Sequence, residues 1–198
     1  MESVRAKDFE TYAHCIRVSR GARFLARVAG LNELDQKLAE FAGLFHDIGK
    51  IGIPDAILTK PGKLTPQEYQ TMMDHPEISV QILAPLKEVE FFARLIPGVL
   101  HHHERFDGEG YPNKVAGEEI PLAARIILIA DTYDAMTADR AYRRGRTPEV
   151  AYQELKDYAG RQFDPWLVKI FNEAHPRWFS HTDSSFDELY QTILKVPA

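Results

Sequence analysis

Apolar residues recur at helical spacing along almost the whole chain, and the rhythm fails in two places, each directly after a cluster of histidines. The periodic segments are 8–29, 33–47, 66–84, 88–103, 121–138, 148–158, 164–174 and 184–195. Between them, residues 49–63 hold Gly49, Gly52, Pro54, Pro61 and Gly62, and residues 105–121 hold Gly108, Gly110, Pro112, Gly117 and Pro121. Breakers at that density mark ordered loops rather than helices. No run alternates in the manner of a strand, so the expected class is all-α. Thr65-Pro66, Thr147-Pro148 and Asp164-Pro165 each pair a capping side chain with a proline suited to a first helical turn, and Gly30 can end the first long helix.

A chain of 198 residues, 44% apolar and 27% charged, suits one soluble core better than two. It shows no internal repeat, low-complexity tract or linker. Residues 1–198 therefore read as one helical domain, with a core over about 8–175 and a C-terminal helical extension over 176–198. The strongest apolar stretch, Ile126 to Ala130, is too short to cross a bilayer, and the amino terminus lacks a basic segment followed by an apolar one. The expected location is the cytoplasm, without membrane insertion. The oligomeric state is not legible.

Two exclusions narrow the chemistry. A net charge of −5 argues against a broad footprint on duplex nucleic acid, although a small phosphate ligand needs only local cations. Cys15 is the only cysteine, which rules out an internal disulfide and a multi-cysteine zinc site. Any metal must then be held by imidazole and carboxylate, and Cys15 itself reads as a helix-packing residue.

The eight histidines are distributed unevenly. Glu10 and His14 lie four apart on the first helix and share a face, which suits either a metal or a plain i,i+4 pair. His46-Asp47 closes the apolar stretch Phe41 to Phe45, where an imidazole and a carboxylate need a partner or serve as a cap. Asp131 follows the apolar run Ile126 to Ala130 and needs a cation, a metal, a proton or a core arginine. His75 precedes Pro76, and His101-His102-His103-Glu104 precedes the second loop. His175 and His181 look unrelated to this set. Imidazoles at 14, 46, 75, 102 and 103 with carboxylates at 10, 47 and 131 are too many for one ion, and a donor set without thiolate suits iron, manganese or zinc. Paired metals are a device for phosphoryl chemistry, producing hydroxide from water and stabilising charge on phosphorus.

His46-Asp47 with Asp131 and His14 resembles the HD superfamily of metal-dependent phosphohydrolases. His46-Asp47-Ile48-Gly49-Lys50, His75-Pro76, His102-His103-Glu104, Asp107 to Pro112 and Asp139-Arg140-Ala141-Tyr142-Arg143 are similar to its HD-GYP subgroup over about residues 8–175. A lone His-Asp pair is weak evidence, whereas this ordered series is specific. Two departures are Ser79, where glycine is usual, and the extra imidazole of His101. Neither removes a ligand.

The resemblance implies a helical bundle around a dinuclear or trinuclear centre of divalent ions, iron first, manganese next and zinc third. It matches His14, His46, Asp47, His75, His102, His103 and Asp131 to metal ligands, Asp47 bridging, and Glu10 to the extra carboxylate of members with a third ion. Lys50, Arg140 and Arg143 match substrate-binding positions, and His46, Asp47 and Lys50 the catalytic ones. Gly110, Tyr111 and Pro112 form the loop associated with docking of diguanylate cyclase (GGDEF) domains. The implied reaction is hydrolysis of cyclic di-GMP by a metal-bridging hydroxide to 5′-pGpG; a second cut would give GMP, and whether the reaction stops at pGpG is not legible. Competing readings are a phosphohydrolase for cyclic GMP-AMP or another nucleotide, a silent cyclic-dinucleotide-binding module, and a docking domain with a structural metal. Substrate profiling, binding without product, and partner capture with and without a Tyr111 substitution separate them.

Overall fold

A computed structural model describes residues 1–139 and 144–178, and apart from one isolated bridge between Ala159 and Phe163 every regular element in them is helical. The α-helices are α1 (Glu2–Lys7), α2 (Phe9–Val28), α3 (Glu33–Phe45), α4 (Asp55–Leu58), α5 (Pro66–Met72), α6 (His75–Leu83), α7 (Glu90–Leu100), α8 (Leu122–Thr137), α9 (Pro148–Asp157) and α10 (Pro165–Trp178). Short 3₁₀ turns cover Ile48–Gly52, Ala84–Leu86 and Gly117–Glu119. The all-α reading therefore holds. The helix expected over 184–195 lies outside the described residues, and α10 runs past residue 175.

Local chemistry explains most boundaries. The Thr65 hydroxyl accepts from the Glu68 amide while the Glu68 side chain accepts from the Thr65 amide, a reciprocal cap on α5. Asp164 accepts from the amides of Trp166 and Leu167, capping α10. Thr147 precedes Pro148 as expected, yet its side chain makes no cap bond. Gly30, just beyond α2, has φ of 80°, the left-handed conformation that suits glycine after a helix.

The segment read as one helix over 66–84 is two, and proline is the reason. Pro76 has no N–H to offer the Met72 carbonyl four residues earlier, so the main-chain ladder is interrupted there. His75 Nδ1 takes that carbonyl instead, at 2.7 Å. The expected helix over 88–103 ends at Leu100, and His102 Nδ1 takes the Val99 carbonyl at 2.6 Å.

Helix α2 packs along α3 and α8, α7 closes over α3 and α8, and α9 and α10 cover the other flank of α8. Val18, Ala22 and Leu25 of α2 meet Leu38, Ala39 and Ala42 of α3, Leu95 and Val99 of α7, Ile126, Ile127 and Ile129 of α8, and Leu167 and Phe171 of α10 in one buried core. Each large aliphatic side chain contributes about 1.5–3 kcal/mol on burial. The α2–α3 crossing is tight at Gly43, where an added Cβ would lie 3.2 Å from Ser19 Cα and 3.3 Å from Ala22 Cβ. That close approach lies one turn before His46 and holds the end of α3 against the helix that carries His14. No helix among the described residues is long and apolar enough to cross a membrane.

Candidate metal centre

Three of the expected ligands stand at helix junctions and are held in the same way. His46 follows α3, His75 opens α6 directly after α5, and His102 follows α7. Carbonyls in the last turn of a helix have lost their regular amide donors. The Nδ1 of each ring meets such a carbonyl three residues back: His46 to Gly43 at 2.7 Å, His75 to Met72 at 2.7 Å and His102 to Val99 at 2.6 Å. A carbonyl only accepts, so Nδ1 must be the donor in all three, and in the neutral ring Nε2 then keeps its lone pair.

These lone pairs converge. His75 Nε2 lies 3.2 Å from His102 Nε2 and 3.1 Å from Asp47 Oδ1, and His46 Nε2 lies 3.3 Å from Asp47 Oδ2. All four residues are buried to within 1% of complete. His46 Nε2 and Asp47 Oδ1 have no hydrogen-bond partner. Acceptors facing one another away from water repel unless a cation lies among them. A proton is a poor candidate at His102, because burial and the neighbouring imidazoles of His103, His46 and His75 push its pKa well below the usual value. Asp47, His75, His102 and His103 offer donor atoms all within 4.8 Å of one another, as do His14, His46 and Asp131. The donors and their burial fit two divalent ions.

Asp47 lies between the groups. Its Oδ1 faces His75, while Oδ2 faces His46 and lies 3.7 Å from His14 Nε2. Burial opposes ionisation of Asp47, but His46, Lys50 and His75 outweigh it and hold the carboxyl well below the usual range. Asp131 Oδ1 is 3.1 Å from His14 Nε2, and despite burial the imidazoles of His14, His46 and His103 keep its pKa depressed. Burial disfavours charge on His14, yet bonds to Asp131 and Asp134 raise its pKa to about 9. Burial and His75 lower His103 to about 3.

The structure brings together these seven residues singled out from the sequence, and much of what holds them was not marked there. Ser79 is fully buried, accepts from the Gly49 amide at 2.8 Å and donates to the His46 carbonyl at 2.9 Å. Gly49 is pressed so closely on α6 that an added Cβ would lie 2.0 Å from the His75 carbonyl oxygen. Asp134 contacts His14 Nδ1 at 2.7 Å and is itself held by Arg17. The available signals were spacing ones: Asp134 is three residues after Asp131, and Arg17 three after His14.

A cleft of about 1020 Å³ opens over the centre. His14, His75 and His103 line it, with the cations Lys50, Arg17, Lys60 and Arg105, the last three unforeseen from sequence, and the acids Asp8, Glu10 and Glu109. The Lys50 ammonium bonds Asp47 Oδ2; burial disfavours its charge, and Asp47 more than offsets this, raising its pKa. Lys60 and Arg105 are paired with Glu68 and Asp107. Glu10 lines the same cleft at an exposed position, outside both donor groups. His101 approaches Glu104 and also lies outside them. Arg140 and Arg143 lie outside the described residues.

The Gly110-Tyr111-Pro112 loop is bound to the centre rather than free of it. Gly110 lies on the backbone of residues 103–105, the Tyr111 amide donates to the His103 carbonyl at 3.3 Å, and the Asn113 amide donates to buried Glu104 at 2.6 Å. The Tyr111 ring stacks on His103 with centroids 4.8 Å apart and forms part of the cleft wall.

Residues 4–167 match the family model of the HD domain. The chain is 42% identical over 172 residues to the 3′3′-cGAMP-specific phosphodiesterase 2 of Vibrio cholerae, covering 86% of this chain and 33% of that protein. It is 38% identical over 167 residues to the cyclic di-GMP phosphodiesterase of Thermotoga maritima, covering 83% of this chain and 45% of that protein. It thus spans less than half the length of these curated relatives. The solved HD domain of the L. monocytogenes phosphodiesterase PgpH superposes with a TM-score of 0.62 at 20% identity, over 91% of this chain and 98% of that one, a likeness of fold. With ordered motifs, helical architecture and family match in agreement, this chain belongs to the HD domain family.

Proposed function

We propose that this domain is a metal-dependent phosphodiesterase that opens cyclic di-GMP to 5′-pGpG. One observation carries the reading: buried His75 Nε2 lies 3.2 Å from His102 Nε2 and 3.1 Å from Asp47 Oδ1, a convergence of donor atoms suited to a cation, beside a cleft that Lys50 also lines. His14, His46 and Asp131 would hold one ion and Asp47, His75, His102 and His103 a second, with the second oxygen of Asp47 turned to the first group. Glu10, on the cleft wall, is the candidate carboxylate for a third. Iron is the first choice for nitrogen and oxygen donors of this kind, then manganese, then zinc.

Divalent ions at such a centre supply a nucleophile from water at neutral pH and neutralise charge on phosphorus. The chain does the rest. The Lys50 ammonium stands beside Asp47 in the cleft lining, where it would meet a phosphate oxygen and stabilise charge that grows during displacement. Lys60 and Arg105, paired with Glu68 and Asp107 at the cleft, are further cations that a twofold-negative substrate can engage, in a lining that also carries Asp8, Glu10 and Glu109. Arg140 and Arg143 add guanidinium contacts to phosphate in this reading. Tyr111 shields His103 from solvent on the cleft side. Partner GGDEF domains would meet the outer side of the loop at Pro112 and Asn113, since Gly110 is buried and Tyr111 lines the cleft.

The test is turnover by anaerobically purified protein of measured metal content. Cyclic di-GMP is expected to give pGpG with iron or manganese, and the double variant His46→Ala, Asp47→Ala to give none. Undiminished hydrolysis by the folded double variant would remove the centre from the mechanism. Running 3′3′-cGAMP in parallel decides between the two substrates named for the curated relatives.

A further inference from the structure

His14 differs from the other imidazoles in where it sits. His46, His75 and His102 stand at helix junctions and lean on carbonyls freed there, whereas His14 is inside α2, where main-chain carbonyls are already taken by the helix's own amides. Something else must fix its ring. Asp134, one turn beyond Asp131 on α8, does so: its Oδ2 accepts from His14 Nδ1 at 2.7 Å. Arg17, one turn beyond His14 on α2, holds the same carboxylate through Nε and through Nη2, the latter at 3.0 Å. The three side chains link α2 to α8 at the level where His14 Nε2 faces Asp131 Oδ1.

Building on the metal-centre reading above, we infer that Asp134 is a positioning residue that fixes the His14 ring with Nε2 toward the His14, His46, Asp131 donor group, and that Arg17 locks Asp134 in that orientation. A carboxylate on Nδ1 selects the tautomer and makes Nε2 a stronger donor to a cation. The forked contact from Arg17 sets the plane of the carboxylate, which a single hydrogen bond does not. Asp134 is only 8% exposed, so water offers little substitute for either partner. The second donor group, Asp47, His75, His102 and His103, contains no ring that depends on Asp134.

That asymmetry separates positioning from simple cross-linking of helices. Metal-free protein is titrated with zinc by calorimetry, and zinc-loaded protein is examined by NMR for the hydrogen-bonded Nδ1 proton of His14. Wild type is expected to take up two zinc ions. Asp134→Asn and Arg17→Met are expected to weaken one of the two sites about 10–100-fold and leave the other unchanged. The Nδ1 proton signal should shift in both variants. Asp134→Asn preserves side-chain shape, and Arg17→Met leaves the carboxylate in place, so the pair serves even where Asp134→Ala fails to fold. Unchanged affinity at both sites in both variants, or equal weakening at both sites, overturns the inference while leaving the metal centre standing. Wild-type protein that binds no zinc overturns the metal reading and this inference with it.

Discussion

The Ser79 hydroxyl donates to the His46 carbonyl at 2.9 Å, across the joint between α6 and the turn that carries Asp47. It also accepts from the Gly49 amide, so one buried side chain satisfies both main-chain groups of that joint. Ser79→Ala leaves a buried donor and a buried acceptor without their partner. The expected loss is about 1–3 kcal/mol in urea unfolding, because an orphaned polar group costs its desolvation. Unchanged stability would mean that the joint is held elsewhere.

Gly49→Ala tests the same joint by bulk. A methyl group there would lie 2.0 Å from the His75 carbonyl oxygen and 2.6 Å from the Ser79 amide nitrogen, so the backbone bearing Asp47 has to move. A displacement of about 1 Å is expected to cost on the order of 100-fold in turnover. Circular dichroism should report retained helix. Full activity in a folded Gly49→Ala protein would contradict the packing described.

Lys50→Met separates charge stabilisation from metal retention. Lys50 contacts Asp47 but belongs to neither donor group. Metal content by elemental analysis should therefore stay near wild type, while kcat for the cyclic dinucleotide falls about 10²–10³-fold, the usual cost of losing one stabilising donor. Loss of metal instead would assign Lys50 to assembly of the centre.

His175 supplies an acid-sensitive contribution away from the site. It is buried against Phe171, with ring centroids 4.4 Å apart, and its Nδ1 lies 2.8 Å from the Tyr152 hydroxyl. Burial lowers its pKa from 6.5 to about 4. The unfolded chain thus binds more protons between those values, and stability must rise with pH across that window. The contribution is fully present above pH 6.5 and is lost as pH falls toward 4, at about 1.4 kcal/mol per pH unit. His175→Phe should flatten this part of the profile in denaturant unfolding followed across pH.

Helix class and the residues of both donor groups were legible because periodicity and histidine placement are local in the sequence. The break at Met73-Asp74 was missed because residues 66–84 keep an apolar rhythm through it, and only the Pro76 amide deficit betrays it. Helix α1 was missed for the opposite reason, being too short to establish a period. Asp134 and Ser79 act on residues far away in the chain, and no spacing rule joins Gly49 to Ser79 or Asp134 to His14; Lys60 and Arg105 pair locally, and only the fold brings them to the cleft. Ser79 was visible only as a departure from glycine, and its use emerges only when α6 is laid against the His46 turn.

Gly43, Met72 and Val99 share no side-chain chemistry, yet each presents the same carbonyl to an imidazole. Metal-ligand aim in three of the rings is therefore written into where helices stop rather than into the identity of neighbouring side chains. An insertion that slides one helix end by a turn would blind its histidine without touching the histidine itself.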